Sequence, residues 1–149
     1  MISVKNTKFY DYFEDKNSLE KIYLLSKTEA NKFWSKNIDS RKKHFFHLED
    51  ENWLVKSEKI ILGDWLDSYN SGKFKNVSKL LNKKIKWLGK LKIYFIANSD
   101  NIFFTDWVTF LLNWDDFIAI EDDASIILNE TLNREGLMFY SKGDIVYFK

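Results

Sequence analysis

The sequence predicts a single α+β domain, with helices of the N-terminal half packed on an antiparallel sheet formed mostly by the C-terminal half. The length of 149 residues suits one domain with a buried core. The predicted elements are mainly helices in the first part of the chain and mainly strands in the last third. No linker, repeat or low-complexity run divides the sequence, so residues 1–149 are expected to fold as one unit.

The composition excludes several classes of function. A net charge of +1 is too small to point to a partner of either charge. The absence of cysteine excludes a disulfide framework, a thiolate zinc site and a cysteine nucleophile, and it agrees with a reducing compartment. The first residues lack the apolar core of a signal peptide, and no apolar run is long enough to span a membrane. We therefore expect a cytoplasmic protein with no membrane partner.

The N-terminal third has one well-marked helix. Residues 2–13 suit a short strand or an irregular arm, and residues 18–25 suit a brief helix or strand. Ser26 and Glu29 have the spacing of a capping box, in which each side chain binds a free backbone N–H group of the other residue. The helix that follows should end near Asn37 and bury Ala30, Phe33 and Trp34.

The middle of the chain predicts two more helices. Residues 39–56 are charged and irregular, with a possible strand at 53–55. Ser57 is a candidate N-cap for a helix that continues to Tyr69 and stops at residues 70–72. That helix would carry Ile60, Ile61, Asp64 and Trp65. A further helix should begin at Asn76 or Ser78 and stop at Gly89.

The last third predicts one helix among strands. Residues 92–97 form a β-branched and aromatic run, followed by a turn at 98–101 and a short strand at 102–104. Thr105 is a candidate N-cap for a helix that places four large side chains on one face: Trp107, Phe110, Leu111 and Trp114. Three strands should close the chain, at 124–129, 136–141 and 144–148, with a tight turn at Lys142 and Gly143 between the last two.

Charge is distributed unevenly along the chain. Residues 71–92 contain eight lysines and no acid, whereas residues 93–135 contain nine acids and one arginine. The lysines could follow a phosphate backbone with Phe74 and Trp87 stacking on bases. Without an arginine for bidentate contacts, the solvated face of an amphipathic helix explains them better. Nucleic acid is therefore a disfavoured partner.

The acidic part of this distribution predicts a binding surface. Two groups of carboxylates bracket the apolar residues 117–120. They could bind a divalent metal, but the glycine of a metal-binding loop is missing, and a surface field that attracts a basic protein is the simpler explanation. Trp114 fits either the core or the boundary with solvent. The predicted partner-binding residues are Trp114, Asp115, Asp116, Glu121, Asp122 and Asp123.

The two histidines offer an enzymatic alternative. His44 and His47 lie three residues apart and close to three acids, so a metal-dependent hydrolase is conceivable if the segment is helical. The pair Phe45 and Phe46 between them equally suits a strand, which would point the two rings to opposite faces. We expect a solvated loop, with no catalytic residues, metal or cofactor.

The C-terminal part resembles a known group of proteins. The run IFFTDWVTFLLNWDDFIAIEDDASIIL and the hairpin GLMFYSKGDIVYF resemble small tryptophan-rich immunity proteins of bacterial polymorphic-toxin and contact-dependent inhibition loci. The spacing W-x-x-F-x-x-x-W-D-x-F is also similar to several uncharacterised bacterial families. The resemblance covers roughly residues 91–149 and implies a cytoplasmic, non-catalytic protein that neutralises a cognate toxin by binding it. Such toxins are often nucleases with basic clefts, which an acidic surface would complement. A general interaction or scaffold domain is the alternative.

Overall fold

A computed structural model describes residues 1–121 and 123–149 and confirms the α+β class. Five helices lie in the described residues: α1 (Lys27–Asn37), α2 (Trp53–Lys56), α3 (Leu66–Ser71), α4 (Phe74–Lys84) and α5 (Trp107–Ile118). Eight strands lie there as well: β1 (Ile2–Ser3), β2 (Tyr23–Leu24), β3 (Lys59–Asp64), β4 (Lys92–Ile96), β5 (Ile102–Asp106), β6 (Ser125–Asn129), β7 (Gly136–Phe139) and β8 (Asp144–Phe148). None of the helices in this part of the chain has the length and apolar character needed to cross a membrane.

The eight strands form one antiparallel sheet in the order β1-β2-β5-β4-β6-β7-β8-β3. The five strands β4 to β8 come from the C-terminal part of the chain and lie next to one another. The three earlier strands flank them, with β1 at one edge and β3 at the other. The expectation that the sheet comes mostly from the C-terminal half is therefore confirmed.

Both faces of the sheet are covered by helices. One core contains Val77 and Leu81 of α4, the apolar face of α5 and the strand residue Phe95. The second core, on the opposite face, contains Trp34 of α1 and Leu54 of α2. Every residue of β6 and β7 is buried, as expected for strands covered on both faces. The N-terminal helices pack on the sheet as predicted, and α5 joins them from the C-terminal half.

The helix starts agree with the predicted capping in one case and differ in the other. The capping box of α1 is present, because Glu29 N–H donates to Ser26 Oγ and Ser26 N–H donates to Glu29 Oε1. In α5 the cap is Asp106, whose carboxylate accepts a hydrogen bond from Thr109 N at 2.8 Å. Thr105 lies inside β5, and its hydroxyl donates to the carbonyl of Lys21. The prediction of Thr105 as the cap was therefore wrong by one residue.

The predicted elements between residues 53 and 65 were wrong. The expected strand at 53–55 is the short helix α2, which begins after the cap Asn52. The expected helix after Ser57 is the strand β3, which pairs with β8 at the end of the chain. This partner is remote in sequence, so tertiary pairing decides the conformation against the local spacing. A separate helix, α3, begins only at Leu66, and α4 ends at Lys84, before the predicted stop.

Candidate partner-binding surface

Four connections meet at one end of the sheet. The strand registers place Ile96 beside Ile102, Ser125 beside Phe139, and Asp64 beside Asp144. The β4–β5 turn, the α5–β6 segment, the β7–β8 turn and the start of α3 therefore lie at this end. Helix α5 begins at the opposite end, where Trp107 N donates to the carbonyl of Leu91, and it runs towards these connections.

This end of the molecule is rich in carboxylates. We call residues 64–67, 97–101, 115–121, 123–124 and 140–144 the acidic end. Among these residues Lys142 is the one base, and there are eight acids: Asp64, Asp67, Asp100, Asp115, Asp116, Glu121, Asp123 and Asp144. The lysine-rich stretch runs along α4 towards the opposite end of the sheet, where β4 begins at Lys92. The uneven charge of the sequence separates only in part between the two ends of the fold, because the first lysines of the stretch lie beside Asp115 and Asp116.

Asp115 and Asp116 occupy the last turn of α5, where they are partly buried. Loss of hydration raises the pKa of Asp116 to about 6, and the neighbouring charges of Asp115 and Glu14 add to that rise. Burial raises the pKa of Asp115 as well. Glu14 N–H donates to Asp116 Oδ2 at 3.2 Å and fixes the carboxylate against the N-terminal arm.

The groove beside Asp115 and Asp116 has mixed charge. It has a volume of about 680 Å³, and Lys73, Lys75 and Lys79 line it together with the carboxylates. A basic partner would therefore meet lysines as well as acids at this position. Asp115 and Asp116 line a different depression from Glu121 and Asp123.

Glu121 and Asp123 lie at a second depression, with a volume of about 310 Å³. Asn98 Nδ2 donates to Glu121 Oε2 at 2.9 Å, which ties the α5–β6 segment to the β4–β5 turn. Asp123 Oδ2 lies 3.2 Å from Nε2 of His44, which comes from the loop between α1 and α2. Asp122, the remaining predicted carboxylate, lies outside the described residues.

Trp114 belongs to the core. Its side chain has 0% exposure, and its Nε1 donates to the carbonyl of Phe74 at 2.9 Å. The ring packs against Tyr69, Phe74 and Phe139. Helical spacing explains this position, because Trp114 shares the inward face of α5 with Phe110 and Phe117. The boundary position considered for Trp114 is therefore corrected, and Trp114 cannot act as an exposed contact.

Phe46 is the exposed aromatic residue that the sequence reasoning missed at this end. It lies in a short 3-10 helix at residues 45–47, and 56% of it is exposed. Its neighbour Phe45 packs against Tyr140 of the β7–β8 turn, with ring centroids 6.0 Å apart. His44, paired with Asp123, lies 5.7 Å from the Phe46 ring. Two consecutive phenylalanines in a charged segment were the available signal, since one ring is partly buried and the other is exposed.

The histidines do not form a metal site with the carboxylates described around them. His44 Nε2 faces Asp123, and His44 Nδ1 accepts a hydrogen bond from Phe46 N at 3.3 Å, so both ring nitrogens are engaged. The ring of His47 lies beside that of His44, with centroids 5.1 Å apart. Within residues 1–121 and 123–149, no three histidine, aspartate or glutamate side chains are grouped in a way that could hold a metal ion.

The aromatic residues needed for the nucleic-acid hypothesis are engaged in packing. Phe74 lies edge-on to Trp114, and Trp87 lies edge-on to Trp107 at 5.0 Å. Phe74 nevertheless stays 36% exposed at the groove beside Asp115 and Asp116.

Comparison with known proteins assigns the chain to a family of unknown function. The family model described as "Protein of unknown function (DUF2947)" matches residues 8–147. Neither the curated proteins nor the solved structures give a match. Because the family model spans nearly the whole domain, this protein belongs to the DUF2947 family.

Proposed function

We propose that this protein is an immunity-type inhibitor that binds a basic toxin domain with its acidic end and blocks the toxin's active site. One observation carries the proposal: the segments of the acidic end hold eight carboxylates and one lysine, against four lysines of other segments that line its two depressions, with the exposed ring of Phe46 beside them. The resemblance of residues 91–149 to immunity proteins supplies the class of partner. Membership of the DUF2947 family is compatible with a binding role but does not identify one.

The physical basis of the proposal is electrostatic steering combined with an apolar anchor. Carboxylates clustered at one end create a field that draws in a basic partner and speeds encounter. An aromatic side chain inside such a surface supplies contact area that excludes water and slows dissociation. Phe46 and Asp123 form the centre of the proposed surface, because one lysine, Lys43, lines the depression at Asp123, whereas three line the groove near Asp116.

The test measures binding to a purified toxin domain encoded beside this gene. Asp123→Lys combined with Asp144→Lys should slow association at least about tenfold at low salt and much less at high salt. Asp144 is suited to reversal because Asp64 lies opposite it across the strands, so a lysine there gains an acidic neighbour. Phe46→Ala should instead accelerate dissociation.

The matched control is Glu130→Lys. This residue follows β6 at the opposite end of the sheet and is exposed, so its reversal changes the net charge without touching the acidic end. Association should slow only slightly in this variant. If the double reversal leaves the association rate and its salt dependence unchanged, the proposed surface is wrong.

A further inference from the structure

The groove beside Asp115 and Asp116 has a basic side and an acidic side. The basic side is the start of α4, where three lysines line the groove: Lys73, Lys75 and Lys79. The acidic side comes from the N-terminal part of the chain and the last turn of α5, with four carboxylates: Glu14, Asp15, Asp115 and Asp116. With a volume of about 680 Å³, the groove is large enough for a small organic molecule.

The opposite charges of this groove do not form ion pairs with one another. None of its lysines, and neither Asp115 nor Asp116, has an ion-pair partner among the residues that the structure describes. The Lys16 ammonium, whose charge acts on Asp116, donates to the carbonyl of Tyr10 at 2.9 Å rather than to the carboxylate. Asp115 and Asp116 are partly buried, and attraction between charges is stronger there than in water. A cationic ligand would therefore be bound more firmly here than at an exposed carboxylate.

Asn113 adds a fixed acceptor to the same groove. It is 2% exposed, and its Nδ2 donates to Ser18 Oγ at 3.0 Å and to the carbonyl of Thr109 at 2.8 Å. These two bonds hold the amide in one orientation. Its Oδ1, which can be reached from the groove, accepts no hydrogen bond from any described residue. This buried side chain therefore favours a ligand that brings N–H groups.

We propose that this groove binds arginine, either as the free amino acid or as the C-terminal residue of a peptide. The guanidinium group binds the carboxylates of Asp115 and Asp116 and donates to Asn113 Oδ1. It offers five N–H donors in one plane, which suits several fixed acceptors better than the compact ammonium of a lysine. The aliphatic stem of the ligand packs on Leu112, which is 70% exposed.

The carboxylate of the ligand binds at the start of α4. This helix has no side-chain N-cap and no acid in its first turn, so its free N–H groups favour an anion. Lys73 and Lys75 lie at that end, and Phe74 between them is 36% exposed and adds apolar surface. The four carboxylates of the groove exceed its three lysines by one charge. Arginine, with two cationic groups and one carboxylate, has the matching excess of one positive charge.

Isothermal titration calorimetry of the purified chain tests the proposal with a set of related ligands. L-Arginine is compared with L-citrulline, which has the same length but a neutral urea group, and with agmatine, which lacks the carboxylate. Citrulline should bind at least about tenfold more weakly than arginine, and agmatine at least about fivefold more weakly, because each loses charge-assisted hydrogen bonds. Alanyl-arginine separates the two sources. Binding at least as tight as that of arginine assigns the ligand to a peptide C-terminus, and weaker binding assigns it to the free amino acid.

Variants of similar shape locate the site. Asp116→Asn should weaken arginine binding at least about tenfold, and Lys75→Gln, at a more exposed position, about threefold. The matched controls are Glu130→Gln and Lys83→Gln, which remove the same charges at exposed positions outside the groove and should change the affinity less than about twofold.

Three results would overturn the proposal. They are an absence of arginine binding at millimolar concentrations, equal affinity for arginine and either analogue, and equal weakening by the groove variants and their controls. No toxin is present in these measurements, so such a failure would leave the proposed inhibitor function untouched.

Discussion

The two halves of the segment from Trp107 to Asp123 lie in different environments in the fold. The first half packs its large side chains into the aromatic core, and Trp114 is completely buried. The second half places its carboxylates in two settings, with Asp116 partly buried in a groove and Asp123 at the surface beside His44. The density of acids in a sequence therefore does not reveal the environment of each one. Packing against residues remote in sequence decides it.

The largest expected effect concerns the first half of this segment, which lies in the core. Trp114→Ala should lower the free energy of unfolding by about 3–5 kcal/mol, because it leaves a cavity and removes the hydrogen bond from Trp114 Nε1 to the carbonyl of Phe74. Leu112→Ala is the control two residues earlier on the exposed side of α5, and it should change stability by less than about 0.5 kcal/mol. Urea unfolding of both variants measures the difference. Similar losses in the two variants would contradict the assignment of Trp114 to the core.

The sequence predicts the elements of this region well because local spacing determines them. The strands β4 to β8 and the inward face of α5 follow from runs of apolar residues between turn signals, and these predictions are confirmed. The sequence does not predict the strand β3, because its partner β8 lies at the far end of the chain. Its adjacent isoleucines also fit helical spacing with Trp65, and no local signal separates the two possibilities.

The candidate surface was only partly predictable, for a related reason. The acidic run is visible in the sequence, but the contact of Asp116 with Glu14 joins residues about a hundred positions apart. The pairing of His44 with Asp123 likewise depends on the loop between α1 and α2 reaching the end of the sheet. Phe46 gains its place in the surface through the same loop, so composition alone could not select it.

The second expected effect concerns the pH dependence of stability that follows from the partial burial of Asp116. The folded chain raises the pKa of Asp116 from an ordinary value of 3.8 to about 6, so between these values the folded state binds more protons than the unfolded state. The free energy of unfolding therefore falls as pH rises from about 3.8 to about 6, and it stays at the lower value above pH 6. Asp116→Asn keeps an acceptor for Glu14 N–H and removes the charge. It should stabilise the protein at pH 7 by about 1–2 kcal/mol after allowance for solvent screening.

Urea unfolding of the wild type and Asp116→Asn, from pH 4 to pH 7, checks this expectation. The advantage of the asparagine variant should grow as pH rises and should be small near pH 4, because that pH lies only just above the ordinary pKa of 3.8 at which the penalty begins. Leu112→Ala, which removes no titratable group, serves as the control and should show no such growth. A constant difference between wild type and Asp116→Asn across the range would contradict burial as the cause of the shifted pKa.

The smallest expected effect concerns the surface pair of His44 and Asp123. Both side chains are 45% exposed, and an ion pair in that setting contributes at most about 1 kcal/mol, because water screens the charges and both side chains lose freedom. A double-mutant cycle with His44→Gln and Asp123→Asn should give a coupling energy below about 1 kcal/mol that falls further in high salt. A coupling above about 2 kcal/mol would mean that the pair holds the loop in place as a structural clamp. Asp123 would then contribute to the fold in the same way as Trp114, and the division of the segment into a core half and a surface half would fail at its last residue.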